Sequence, residues 1–377
     1  MKARQFMNVV MQRYGSGSSW YTVSRIKAGE HLFYGSTAEA RAAEKSKVNM
    51  DWQSPGVVPP WMETVSPIPP PRLRFEQSIP DNKRMDFLPF YGRGSSGASK
   101  ILCVDAEGHT VLYDMAAGSL QPIPHLNSPK GSRPISFSAT NREASDHERA
   151  DVFYVMGRFP SSYDPYNFEV LMYCDPSNGR TMRGWNWLKL PTPPAYADNC
   201  IVNSHALLDV EGDRILVVSS GEESLGTYCF NTASRKWFKA GTWRLPFFDR
   251  AVLVPELDNL VFGIANDEGH PFCAMDIISR ILTKRGRPSV YTWPHLDDLP
   301  QDWAMMDCSF VYLGAGRFCI TKIFEFGFDQ RTGHTTHAGA VMSGVEVVRR
   351  HKKSGLVMVN HRSKFYNFVS DEIERVL

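Results

Sequence analysis

The sequence lacks the features that would tie it to a membrane, a disulfide scaffold or a nucleic-acid backbone. Nowhere do 18 apolar residues run together, so no transmembrane helix is expected. The stretch from Met1 to Arg13 starts basic, but Asn8 and Gln12 interrupt the apolar run that a secretory leader needs. No Asn-x-Ser/Thr acceptor occurs. The cysteines are Cys103, Cys174, Cys200, Cys229, Cys273, Cys308 and Cys319, with no Cys-x-x-Cys among them. Odd in number and mostly set in apolar runs, they read as buried reduced thiols acting as small hydrophobes. Cytoplasm or nucleus is the expected location. An excess of one charge is also missing: Lys plus Arg is 42 against 40 for Asp plus Glu, a net charge of +2. Phosphate-dominated binding needs a strong basic excess or a basic stripe. Neither membrane nor nucleic acid is an expected partner.

Helical patterning is scarce as well. Ser36 to Lys45 is rich in Ala, Glu and Arg, with Ser36 or Thr37 placed to cap it. Ser370 to Leu377 reads as a short terminal helix. Elsewhere, runs rich in Val, Ile, Phe, Tyr and Trp are cut by Gly, Pro, Asn and Asp, as at Asp151 to Met156, Arg214 to Ser219 and Asn259 to Ile264. Several are apolar throughout, as strands covered on both faces must be. The fold class is all-β. At 377 residues, the chain is long for one ordinary domain, but a repeated β architecture can hold it as one unit.

A weak repeat supports that architecture. An aromatic or Met is followed by Asp or Asn and a turn, with Trp or Leu seven positions after the first residue. The unit occurs at Tyr113-Asp114 with Leu120, Phe230-Asn231 with Trp237, and Met275-Asp276 with Leu282; a shifted copy lies at Tyr173 and Asp175 before Trp185 and Trp187. Such a unit suits a hairpin in which the acid or amide accepts backbone N–H bonds and the Trp or Leu packs in the outer strand, with Trp237 largely buried. From 113 through 173 and 230 to 275 the steps are 60, 57 and 45 residues, an irregular period near that of kelch propeller blades. One domain spanning 1–377 follows, with six sets of about four strands: an irregular first set at 7–78 holding the helix, then 84–125, 133–193, 203–243, 248–290 and 306–369. Seven blades would also fit the length, and a pair of β-sandwiches is the competing architecture. The Pro-rich segment from Ser54 to Pro71 reads as an extended connector inside the first set.

Several stretches resemble a plant family known as domain of unknown function 1668. They are Lys100 to Asp114, Leu126 to Gly131 ahead of Arg133 to Ile135, Gly226 to Thr232 with Lys236 and Trp237, and Gly316 to Ile320. His31 to Tyr34 leading into Ser36 to Ala40, and Gly344 to Arg349, are similar too, so the resemblance covers nearly the whole chain. It implies a kelch-like β-propeller of unassigned biochemistry and supplies no catalytic residues. The Gly-Gly doublet of true kelch repeats is missing.

Motifs that could carry chemistry fall short of it. Gly92 to Lys100 looks like a phosphate loop, but Ala98 stands where Lys is required and a strand follows in place of a helix. His334 and His337 lack further ligands and read as a solvated hairpin loop between Phe328 and Ala338. Arg349 to Lys353 reads as a charged hairpin tip guarding a sheet edge. No cofactor or metal is expected, and the protein reads as non-catalytic. The leading expectation is a protein-interaction module using loops on one propeller face, with a small-molecule or carbohydrate-binding propeller, enzymatic or not, as the alternative. The loop from Leu126 to Pro134 is the candidate contact. Its Asn127, Ser128, Lys130 and Arg133 offer donors and charge on a backbone stiffened by Pro129 and Pro134, with Lys130 and Arg133 facing an acidic patch of the partner.

Overall fold

The computed structural model describes residues 4–15, 18–47, 58–65, 68–76, 84–90, 100–115, 117–140, 151–161, 163–174, 184–194, 200–210, 213–222, 224–283, 288–296, 299–300, 302–329, 334–350, 355–368 and 371–377. The Gly92 to Ser99 loop and the basic residues His351 to Lys353 lie outside them. Strands dominate. The first group is β1 Met7–Gly15, β2 Ser18–Ile26, β3 Glu63–Val65 and β4 Leu73–Glu76, with helices α1 Ala28–Leu32 and α2 Thr37–Lys47 between β2 and β3. Next come β5 Asp86–Phe90, β6 Lys100–Val104, β7 Thr110–Asp114 and β8 Ser119–Ile123, then β9 Ile135–Thr140, β10 Asp151–Met156, β11 Phe168–Cys174 and β12 Gly184–Lys189. They are followed by β13 Val202–Val210, β14 Asp213–Ser220, β15 Thr227–Asn231 and β16 Lys236–Gly241, and by β17 Phe247–Val254, β18 Leu260–Ala265, β19 Phe272–Met275, helix α3 Ile278–Thr283 and β20 Val290–Trp293. The chain ends with β21 Ala304–Gly314, β22 Arg317–Asp329, β23 His334–Arg349, β24 Leu356–Phe368 and β25 Asp371–Val376.

Five hydrogen-bonded sheets result, ordered β25-β1-β2-β4, β5-β6-β7-β8, β9-β10-β11-β12, β16-β15-β14-β13-β17-β18-β19-β20 and β21-β22-β23-β24-β3. Within each sheet the paired strands of one group are antiparallel, and β3 leaves the first group to pair in parallel with β24 of the last. The eight-stranded sheet is two such groups joined where β13 and β17 pair in parallel from Ser204↔Asp249 to Leu207↔Val252. Apolar side chains on both faces need cover on both, and neighbouring groups supply it. Buried clusters join the β1–β4 group to β5–β8, that to β9–β12, and so on along the chain. A further cluster joins the last group back to the first through Met7, Val9, Met342 and Ile373. The three described helices are short, and the chain is all-β.

Three local readings change in the structure. Ser370 to Leu377, read as a helix, contains strand β25, which pairs with β1 (Val9↔Val376 to Arg13↔Asp371). Helix propensity is a weak local preference that tertiary contacts override, and Ile373 and Val376 gain burial in the cluster that joins first and last groups. His334 and His337 lie in β23 rather than in a loop, and His337 stacks on Phe326 at 5.3 Å. Trp237 is only half-buried, because β16 is an outermost strand; it packs on Phe168 and Phe230, and its Nε1 donates to Pro191 O at 2.6 Å. Helix α2 forms where expected, with Ser36 Oγ accepting from Glu39 N at 3.2 Å. The preceding helix α1 sits close to the last group, since a Cβ on Gly344 would clash with Leu32 O.

Candidate functional site

One edge strand of each group, β5, β9, β13, β17, β21 and β25, contributes to the lining of a central cavity of about 890 Å³. Charged side chains converge where these strands begin. Arg158, in the loop after β10, donates from Nε to Arg133 O at 2.5 Å and from Nη1 to Val202 O at 3.1 Å, and ion-pairs with Asp249. Asp249 is also approached by Arg375 Nη2 at 3.9 Å and by His205 Nδ1 at 3.5 Å. Arg133 pairs across the mouth with Asp307, while its backbone N–H donates to Asp86 Oδ1 at 3.0 Å. Arg84 grips Glu374 with two N–H groups, at 2.6 and 3.1 Å. Residues far apart in sequence thus tie the starts of the other edge strands to Glu374 and Arg375 of β25.

Burial and charge set the protonation of this ring. Burial alone would raise the Asp249 carboxyl, but Arg158 and Arg375 outweigh it and hold Asp249 well below the usual carboxylate range. Burial pushes the imidazole of His205 down to about 3, so it is neutral. The Asp86 carboxyl is raised to about 6 by burial, against the pull of Arg375 and the Arg133 N–H. Two residues of unusual backbone conformation lie in the same place. Arg133 and Asp249 adopt φ of 52° and 62°, in the left-handed region that side chains other than those of Asn and Asp seldom enter. β17 drops its register with β18 between Phe248 and Val252, and across that gap it pairs with β13 instead. At Arg133, strain on the order of 1–3 kcal/mol persists only where surrounding contacts over-determine the conformation, and the Arg158 bond to Arg133 O is one such contact.

The structure corrects the expected contact loop. Lys130 is not offered to a partner: it is buried, 6% exposed, and its Nζ donates to Ser128 O and Tyr166 O at 2.6 Å and to buried Glu169 at 2.5 Å. Asn127 donates to the same Glu169, and Ser128 Oγ donates to Asp164 Oδ2 at 3.0 Å. These three residues lock the loop before β9 to the loop after β10. Arg133 alone of the four lines the cavity.

Sequence reading missed what lies beside that lock. Phe159, Tyr163 and Tyr166 in the loop after β10 are 59%, 91% and 38% exposed. Ile201, just before β13, and Met306, at the start of β21, are exposed at the same end. The aromatics carried a usable signal, since Phe159 to Tyr166 sets three large rings among Pro, Ser and Asp with no strand alternation. Arg158, His205, Asp249 and Arg375 carried none, because nothing local distinguishes them.

No curated protein matches the chain in sequence. Among solved structures, an auxiliary nutrient binding protein from Bacteroides ovatus is 10% identical, with 75% of this chain and 62% of that chain covered at a TM-score of 0.38. A fungal alcohol oxidase of the AA5 family in complex with copper is 10% identical over 73% of this chain and 50% of its own, at 0.33. The chain therefore spans less than two thirds of either. A protein of unknown function from Dyadobacter fermentans is 12% identical, with 90% and 95% covered and a TM-score of 0.42. The family described as "Protein of unknown function (DUF1668)" matches residues 4–366, and the chain belongs to that family.

Proposed function

We propose that the chain is a six-bladed, kelch-like β-propeller that acts as a non-catalytic protein-interaction module. Four-stranded antiparallel groups, shared cores between neighbours, and pairing of β25 with β1 all support the propeller reading. The partner is a protein, and it docks on the face where the cavity-lining strands begin. One observation carries this: Phe159, Tyr163, Tyr166, Ile201 and Met306 are exposed together at that end. Large exposed apolar groups, aromatics above all, are what the centres of interfaces are made of. The rigid blades hold the loops, so recognition needs little reordering. Seven buried cysteines that form no disulfide support an intracellular setting, cytoplasmic or nuclear. The test is affinity purification from the source tissue, with the wild type beside a Phe159→Ser, Tyr163→Ser variant. A stoichiometric partner recovered with the wild type and lost with the variant, at equal melting temperature, is the expected result. Undiminished recovery would remove the face from the reading.

A second reading has its own support. A cavity of about 890 Å³ with charged groups at its mouth is of the size that holds a metabolite, so the same chain also suits a small-molecule-binding propeller.

A further inference from the structure

We propose that the central cavity binds a small organic monocarboxylate, its carboxyl group held by Arg375 and Arg133 and its apolar body set against Phe248, Phe310 and Leu207. This rests on the small-molecule reading of the cavity and is independent of the partner face.

The donor and acceptor inventory of the mouth points to an anion. Every lining carboxylate there is engaged. Asp249 pairs with Arg158, Asp307 pairs with Arg133 and accepts from Cys308 N at 2.8 Å, and Glu374 takes two N–H groups of Arg84. The guanidinium groups are under-used by comparison. Each has five N–H donors. Arg133 reaches Asp307 through one nitrogen, and Arg375 comes no nearer than 3.9 Å to Asp249. Among the described residues, Arg375 is thus a cation at the mouth without a close ion pair, and a ligand that supplies oxygen acceptors matches it. Arginine pairs with carboxylate through two parallel N–H···O bonds, which fixes orientation as well as charge. A second polar group is waiting: His205 lines the cavity, is 5% exposed, and its Nδ1 makes no hydrogen bond.

Size and charge narrow the class. An inorganic anion would leave most of about 890 Å³ unfilled and the walls of Leu207, Phe248 and Phe310 uncovered. Asp249, Asp307 and Glu374 lie close by, and like charge disfavours a dianion such as a phosphate monoester. A cation would need spare acceptors. What remains is one carboxylate on a body that is largely apolar. The left-handed backbone of Arg133 fits such a site, since conformations of this kind gather at ligand clamps.

The test uses the full chain carrying Phe310→Trp as a fluorescence reporter, alongside the wild type in calorimetry. The probes are phenylacetate, 4-phenylbutyrate and octanoate, their primary amides, glucose and xylose, and inorganic phosphate. At least one carboxylate is expected to bind and its amide to bind at least about tenfold more weakly, the loss of a charge-assisted pair. Arg375→Gln should weaken that carboxylate by a similar factor, with Arg375→Lys restoring part of it, while melting temperature is unchanged. Should Arg375→Gln fail to fold, Arg133→Gln carries the same comparison. Equal binding of acid and amide, binding of sugars or phosphate alone, or full affinity in the folded arginine variants would overturn the carboxylate assignment and leave the cavity as a ligand site. No binding by any probe, with unchanged reporter emission, would overturn the small-molecule reading as well.

Discussion

The cores between neighbouring groups and the mouth of the cavity are built on opposite principles. Between the β17–β20 and β21–β24 groups, Phe262, Phe272 and Phe318 are fully buried, with Phe272 and Phe318 ring centroids 4.9 Å apart in an edge-on arrangement. A buried charge enters at Lys322, whose Nζ donates to Gly269 O at 2.9 Å and His295 O at 2.7 Å, and apolar burial does most of the stabilising. At the mouth the same chain assembles arginines and carboxylates, leaves a buried imidazole nitrogen without a hydrogen bond, and holds two residues in left-handed conformations. Buried ion pairs contribute little net stability once desolvation is counted. Their concentration at one end of one cavity is what the binding proposed there would use, while the cores hold the frame.

That contrast can be broken from the core side first. Phe262→Ala should cost about 3–5 kcal/mol, the ordinary result of emptying a packed aromatic site, read as a lower midpoint in denaturant. An unchanged midpoint would mean that the cores do not carry the fold. The lock beside the mouth comes next. Glu169→Leu leaves Lys130 buried without its anion and should cost about 3 kcal/mol or more, whereas Lys130→Met with Glu169→Leu should recover most of the loss. A double variant as unstable as the single one would show that Lys130 and Glu169 do more than neutralise each other.

The smallest effect concerns acid. His205 titrates near 6.5 in the unfolded chain and at about 3 in the folded one. Below about pH 6.5 the unfolded chain therefore takes up a proton that the folded chain refuses, and stability falls as pH drops toward 3. His205→Gln should flatten the decline in melting temperature between about pH 7 and about pH 5. His361, also shifted down by burial against the pull of Glu346, should keep part of it. Equal slopes in variant and wild type would mean that His205 is not excluded from protonation.

The repeated hairpin unit was legible because its physics is local. Asp114 Oδ1 accepts from Ala117 N at 2.9 Å, and Asn231 Oδ1 accepts from Ala233 N and Ser234 N, each at 2.9 Å. Tyr113 faces Leu120 and Phe230 faces Trp237 across their strands. The third copy diverges: Asp276 accepts from Ser279 N at the start of α3, so Leu282 lies in a helix and Val290 pairs with Met275 instead. Within each unit the first residue is buried, but Leu120, Trp237 and Leu282 are half-buried or exposed, because they lie at the outer margin of their groups. Sequence spacing places two residues on facing strands; it does not say which side has a neighbour.

By itself, the sequence determined that this is an all-β chain, where many of its hairpins turn, and that α2 begins at a Ser or Thr cap. Each of these depends on residues a few positions apart, through propensity, alternation and side chain-to-backbone bonds. Tertiary structure decided that the last residues form a strand beside β1, that Lys130 is buried, and that Arg133, Arg158, Asp249 and Arg375 meet at one mouth. Those outcomes depend on which groups are brought together when the strands pack in succession and the last group meets the first. Contact between residues far apart along the chain is set by that packing, and no local pattern records it.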